Sequence, residues 1–411
     1  MVMKSRIAAI LLGAVSLSAL STSIHAADAI VEMPVRTGFN WTGFHVGAAA
    51  GVGAFVLQGD QNFRLSGDGF FGEVSAGYDY MFSERFLLGA FADARYGGQE
   101  ATVDGTSGSI SLKQTLGFDV GLRAGYLVNP TSLAYVLGGY SWQRFEADFS
   151  IPILAGNDDI DGDGYTVGAG LETVVGGNWT LKNEYRFASY SVDDGVEEQD
   201  LDTQTYRVGL NYRFGADGGA EATFSAPAYN WTGFYIGAQL GALVAIDNAL
   251  FSPLSYTVDG QGGDGGWGSL NVGYDQEFGN WVAGVQLGAR YMSAGTSFIN
   301  AFNLDRDYGF DVLARVGVKL SDTTLAYAIG GYTNQRFELD VQGLDLDWNG
   351  SGYTIGTGLE TAVTDRLALN VEYRFSQFGD HDPLEGTPEA GILSYEPRLH
   401  MFGVGLKYKL N

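Results

Sequence analysis

The residues best placed to do chemistry are acids and bases that occur as matched sets. Arg95, Arg123, Glu172, Glu184 and Arg186 form one set; Arg290, Arg315, Glu360, Glu372 and Arg374 form the other. Glu184 and Arg186 stand two positions apart, as do Asp93 and Arg95, with small or apolar residues between them. In an extended strand such residues share one face. A face carrying both signs beside Gly168, Gly170 and Gly209 suits a narrow tube, in which opposite charges either line a pore or pair into a plug. A tube of eight strands is just wide enough for side chains to fill. A plug of ion pairs is therefore the expected use of both sets. Recurrence in both halves points to a structural duty in each, not to one active site.

Other chemistry is thinly represented. Asp159, Asp161 and Asp163 in the run 157–164 have the spacing of the first half of a calcium loop, but Gly170 stands where the bidentate Glu belongs. The run is read as a flexible acidic turn, and the three Asp are candidates only for a loose divalent-cation contact near lipopolysaccharide. His45, His381 and His400 are scattered, and only His381 falls in an expected external loop. There is no cysteine, which removes thiol catalysis, disulfides and zinc–thiolate sites. No Ser-His-Asp set recurs in the two halves. No enzyme and no cofactor are expected.

The elements that carry these residues are strands. From 179 to 190, Leu181, Asn183, Tyr185 and Phe187 alternate with Lys182, Glu184 and Arg186. From 204 to 214, Tyr206, Val208, Leu210, Tyr212 and Phe214 alternate with Arg207, Gly209, Asn211 and Arg213. The period of two marks strands with one apolar and one charged face. The first half predicts strands near 41–53, 69–82, 85–96, 115–128, 131–146, 163–176, 179–190 and 204–214. The second predicts 231–244, 266–278, 280–292, 307–320, 323–338, 351–363, 366–377 and 399–410. Strands of about ten residues cross a bilayer at a tilt. Tight turns at 83–84, 129–130 and 176–178 alternate with longer acidic connections such as 148–163 and 191–202. Short turns on one rim and long loops on the other are the pattern of an outer-membrane barrel, which turns grease outward and charge inward. Trp41, Trp179, Trp231 and Trp281 near strand ends are expected in an aromatic girdle.

Composition agrees. Of 411 residues 61 are Gly, and Tyr, Phe and Trp number 23, 25 and 7. The net charge of −25 excludes nucleic acid as a partner. Lys4 and Arg6, the apolar stretch 7–20 and the small residues up to Ala26 read as a secretory signal peptide. Its apolar core is too short for a spanning helix.

The repeat is collinear. Asn40-Trp-Thr-Gly-Phe44 recurs at Asn230–Phe234, Gly117-Phe-Asp-Val120 at Gly309–Val312, Gln143-Arg-Phe-Glu146 at Gln335–Glu338, and Glu184-Tyr-Arg-Phe187 at Glu372–Phe375. With Val46-Gly-Ala-Ala-Ala50, Arg123 before Gly125-Tyr126, and Val167-Gly-Ala-Gly-Leu-Glu172, these motifs resemble the small outer-membrane β-barrel proteins of alphaproteobacteria. That group comprises surface antigens and porin-like proteins of the eight-stranded type, with haemin-binding members. The resemblance implies a scaffold and a cell-surface place, without a chemistry. Family members usually carry one barrel and end on an aromatic residue. This chain carries two copies and ends Tyr408-Lys-Leu-Asn411, whereas its first copy ends on Phe214.

The expected fold is all-β, two tandem eight-stranded antiparallel transmembrane barrels; the alternative is one sixteen-stranded barrel. The expected divisions are a signal peptide at 1–26, a periplasmic segment at 27–39, a first barrel at 40–214, a periplasmic linker at 215–229 and a second barrel at 230–411. The expected place is the bacterial outer membrane. The expected role is structural and antigenic, with acidic loops outward; the alternatives are a porin-like channel and capture of haemin or another surface ligand. Expected partners are membrane lipid, lipopolysaccharide, the barrel-assembly machinery and an extracellular or host ligand met by the loops.

Overall fold

A computed structural model describes residues 38–58, 64–105, 108–151, 154–193, 198–219, 224–251, 256–298, 302–341, 344–383, 385 and 393–410. The expected signal peptide, and 27–37 of the expected periplasmic segment, lie outside these residues. In the first half the strands are β1 (Gly38–Phe39), β2 (Gly43–Gln58), β3 (Arg64–Met81), β4 (Phe86–Gly105), β5 (Gly108–Asn129), β6 (Ser132–Ile151), β7 (Leu154–Gly176), β8 (Trp179–Asp193), β9 (Glu198–Arg213) and β10 (Asp217–Gly219). The second half has β11 (Gly233–Phe251), β12 (Tyr256–Phe278), β13 (Trp281–Met292), β14 (Gly295–Phe298), β15 (Phe302–Ser321), β16 (Thr324–Val341), β17 (Leu344–Ala362), β18 (Leu367–Phe378) and β19 (Leu393–Lys409).

Neighbouring strands pair antiparallel, and each half returns to its start. β2 pairs with β9 from His45–Arg213 to Gln58–Asp200. β11 pairs with β19 from Tyr235–Lys409 to Phe251–Leu393. β13 and β14 are one strand interrupted after Met292, and both pair with β15. The short β1 and β10 pair with each other, so part of the expected linker is a strand.

Side chains alternate as the period of two requires. Leu122, Leu240 and Leu270 are 69%, 73% and 70% exposed on the outer face, whereas Arg123, Arg207 and Arg374 are buried inside. Trp179 and Trp281 stand outward at strand ends, where a girdle belongs.

The strands are longer than the sequence suggested. β6 and β7 are 20 and 23 residues long and pair as far as Ile151–Leu154, so the expected loop 148–163 is mostly ladder. β8 reaches Asp193 and β9 begins at Glu198, which shortens the expected loop 191–202 in the same way. The physical reason lies in the outward column of β7. It reads Asp159, Asp161, Asp163, Tyr165, Val167: acidic where the strand stands in water, aromatic at the boundary, aliphatic in hydrocarbon. Backbone pairing continues across that boundary although side-chain chemistry reverses. Inside the raised part the ring is apolar, with Phe55, Leu65, Phe145, Tyr190 and Leu201 clustered in the first half. The second half does the same with Leu243, Trp267, Leu304, Phe337, Leu399 and Met401.

Candidate functional site

The interior of each ring is the chain's concentration of chemical groups. It is built in three levels, from the turn-bearing rim to the extended rim.

The lowest level begins at the repeated pentapeptide. The Asn40 carboxamide oxygen accepts from the Thr42 amide at 3.0 Å, and Asn230 does the same for Thr232. The Thr42 hydroxyl accepts from the Met81 amide and that of Thr232 from the Glu277 amide, both at 3.0 Å. Gly43 at φ 144° and Gly233 at φ 135° turn the chain from this corner into the first strand, a backbone region where a Cβ is strained. Between Asn and Thr, the indole swings under the ring. Trp41 and Trp231 are 2% and 1% exposed, so they close the lumens and do not join the girdle, contrary to the sequence expectation. Trp41 packs with Leu87, Leu127, Leu133 and Tyr135, and Trp231 with Tyr229, Val282, Leu325 and Tyr327. The last strand holds them in place. Arg213 donates to the Trp41 carbonyl at 3.0 Å and Lys409 to the Trp231 carbonyl at 2.6 Å.

Above the indoles lie the ion pairs. In the first ring Arg123 binds Asp79 and meets Glu172 at 3.0 Å. Arg213 reaches the same two acids at 2.8 and 3.0 Å. His45 faces Asp79 at 3.4 Å. One level higher, Arg186 meets Asp93 and Asp119 at 2.7 Å and Glu184 at 2.6 Å. Arg95 meets Asp119 at 2.8 Å and donates to the Tyr190 hydroxyl at 2.5 Å. Glu73 binds Arg207 and meets Lys182 at 3.0 Å. The cavity left among His45, Asp93, Arg123, Lys182, Glu184 and Arg186 is about 20 Å³, room for a water molecule and not for a solute.

The second ring follows the plan with fewer charges. Arg315 and Lys407 meet Glu360 at 3.0 and 2.7 Å, and Lys409 meets Asp275 at 3.3 Å. Arg374 meets Glu372 at 2.5 Å and Asp311 at 3.4 Å, and Arg290 binds Asp311. Higher up, Arg306 meets Asp247 at 2.5 Å within the apolar cluster.

All ten lumen residues named from sequence thus sit in these networks. The partners were not legible. Asp93 pairs with Arg186, not with Arg95 two positions away. Lys182, Arg207 and Arg213, which the alternation puts on the charged face, join the networks as well, and so do Glu73 and Asp79, which the sequence reading does not single out. Cross-strand register decides who meets whom, and that register is a property of the closed ring.

The remaining candidates are dispersed. Asp159, Asp161 and Asp163 share the exposed face of an extended strand and do not form a turn; Arg144 meets Asp161 at 2.9 Å. His381 bridges to Tyr395 beyond the end of β18 and stacks on Trp348 at 4.7 Å. His400 stands on the outer face of β19, where its ring meets the Tyr373 hydroxyl at 2.9 Å. With His45 in a lumen, no two of the three described histidines flank a common site.

Antiparallel strands that carry charge inward and grease outward define a membrane-spanning β-barrel protein. The chain belongs to the outer membrane protein beta-barrel domain family, whose model matches twice, over residues 7–214 and 219–409, and it is a protein of the bacterial outer membrane. It is 31% identical over 228 residues to the 31 kDa outer-membrane immunogenic protein of Brucella melitensis, a match that covers 47% of this chain and 95% of that one. It is 29% identical to the 22 kDa outer membrane protein of Rhizobium leguminosarum, over 44% of this chain and 82% of that one. Among solved structures, Neisserial surface protein A aligns with 44% of this chain and 98% of its own, at 19% identity and a TM-score of 0.29.

Proposed function

We propose that the chain is a structural, surface-displayed protein of the outer membrane, made of two closed barrels that conduct no solute. The observation that carries this reading is the filled lumen: an indole below, paired charges at mid-height and an apolar cluster above. Differences between the copies support it. Glu73, Asp93, Lys182 and Arg207 of the first copy align with Ser269, Gly288, Asn370 and Gly403 of the second. Two acids and two bases are lost together, and Lys407, which stands where the first copy has Asn211, lies between Asp275 and Glu360, so the charges that remain keep opposite partners. A permeation path has no need to keep each charge beside an opposite one; a plug does, because an unpaired buried charge is costly.

The acidic outer columns beyond the membrane, such as Asp159, Asp161 and Asp163, supply the surface met by antibodies or host ligands. The immunogenic proteins named among the relatives are in keeping with such exposure. Lipid, lipopolysaccharide and the assembly machinery are the partners that insertion of such a barrel requires. The reading assigns the chain no reaction and no haemin site.

Purified protein in planar bilayers tests it. Silent membranes at incorporated doses are expected. Stepwise conductance of porin size would overturn the plug and favour one sixteen-stranded pore.

A further inference from the structure

Tyr206 and Leu171 sit on the outer, apolar face of the first copy, yet they are only 3% and 1% exposed. The second copy covers them. Tyr206 stacks on Tyr373 with ring centroids 5.4 Å apart, and Tyr185 packs against Phe402 at 5.1 Å. By sequence, Tyr185 matches Tyr373 and Tyr206 matches Phe402. The two aromatic contacts are therefore one contact made twice, with the roles of the copies exchanged. The same holds elsewhere along the face. Ser132 meets its own counterpart Thr324 at 3.0 Å. Thr361 meets Ser132 at 3.0 Å, and its counterpart Thr173 meets Thr324 at 3.4 Å. Toward the outer rim, Ala54 and Val56 cluster with Val244 and Ile246, again their counterparts.

Contacts in which residue i of one copy meets j of the other, and j meets i, are the signature of an isologous two-fold interface. We infer that the outer face of β2, β6, β7, β8 and β9 and the matching face of β11, β16, β17, β18 and β19 form a self-complementary, lipid-excluding surface. The partner it fits is a second copy of the same barrel. The tandem chain is in effect a two-fold dimer joined by its linker.

Physical chemistry favours a specific surface over chance contact. Between two greasy faces in lipid the hydrophobic effect gives no net drive, so close packing and interhelical or interstrand hydrogen bonds must decide. This face has both. Asn129 donates to the Thr361 hydroxyl at 2.9 Å and to the Ala362 carbonyl at 3.0 Å. The Tyr206 hydroxyl lies 2.7 Å from the Asn183 carboxamide oxygen and 3.3 Å from the Thr357 carbonyl. Ion pairs add to this at the outer rim, where Arg398 meets Asp68 at 3.5 Å and Arg64 meets Asp264 at 3.4 Å; the two acids are counterparts. Above the membrane the two-fold is broken, for Thr257–Asp259 of β12 pair with Thr102–Asp104 of β4.

The inference rests on the reading that each copy is a closed ring, and the test separates the two. The full chain has no cysteine, so introduced pairs report without background. Ser132→Cys with Thr324→Cys probes the face; Ala48→Cys with Leu210→Cys, register partners in β2 and β9, probes ring closure. In isolated outer membranes under mild oxidation, both pairs are expected to form intramolecular disulfides in most molecules. A linked 48–210 pair with an unlinked 132–324 pair would refute the two-fold face and leave closed rings standing. Failure of the 48–210 pair would remove the closed rings themselves. As a second readout, a spin label at Tyr206→Cys should be several-fold less accessible to membrane-dissolved oxygen than one at Leu122→Cys; equal accessibility would also refute the face.

Discussion

Gly403 of β19 lies beneath the indole of Trp267 so closely that a Cβ at position 403 would come within 2.7 Å of the ring. The first copy has Arg207 and Phe71 at these places, with the guanidinium carbon 5.2 Å from the phenyl centroid. The second copy has exchanged a cation beside a small ring for a large ring beside no side chain, and so fills a similar space. Gly403→Ala is expected to lower the thermal midpoint in detergent by several degrees, because overpacking of a tight interior costs about 1–3 kcal/mol. Trp267→Phe with Gly403→Ala should recover part of the loss. A midpoint unchanged by Gly403→Ala would mean that the interior is not packed as described.

Glu172 holds both Arg123 and Arg213, and it also accepts from Thr180 at 2.6 Å. Glu172→Leu leaves two buried cations sharing Asp79. Removing one partner of a buried pair costs about 3–5 kcal/mol, to be read from urea unfolding of refolded protein. The exposed pair of Arg144 with Asp161 provides the contrast: Asp161→Ala should leave stability nearly unchanged, as is ordinary for surface pairs. Equal effects at the two sites would argue against a closed lumen.

Trp41→Ala and Trp231→Ala each remove an indole that closes a lumen from below. A loss of about 3–5 kcal/mol is expected for each, as for other large-to-small core changes. Neither variant should conduct in planar bilayers, because the paired charges and the apolar cluster above remain. Conductance steps in either variant would identify the indole as the gate.

Asp202 lies on the outer extension of β9, where burial raises its carboxyl above the ordinary range and the neighbouring Asp264 and Asp200 add to the effect. A folded-state pKa above the unfolded one means that the folded protein holds more protons in that window. Stability therefore falls as pH rises through it. Asp202→Asn should raise the midpoint at neutral pH, and the gain should shrink as pH is lowered toward about 4, near the ordinary carboxylate value. A gain independent of pH would assign the effect to packing.

Much of this architecture is written in the sequence. The two-residue period in 179–190 and 204–214 assigns Glu184, Arg186 and Arg207 to one face and Tyr206 and Leu210 to the other, because successive side chains on a strand must point to opposite sides. The repeat assigns the same plan to both halves, and Ser83, Asn129 and Gly176–Gly177 mark the tight turns. Four matters needed the folded chain. Which acid meets which base depends on cross-strand register and ring closure, so Asp93 finds Arg186. Where a strand ends depends on backbone pairing that ignores the change from lipid to water, so the acidic residues 157–163 are ladder and not loop. Whether an aromatic at a strand end faces lipid or lumen depends on the corner before the strand, so Trp41 and Trp231 turn in while Trp179 and Trp281 stand out. And an outward apolar face reads alike whether its neighbour is an acyl chain or another barrel. Local pattern records which side of a strand a residue occupies; only the assembled chain determines what lies against it.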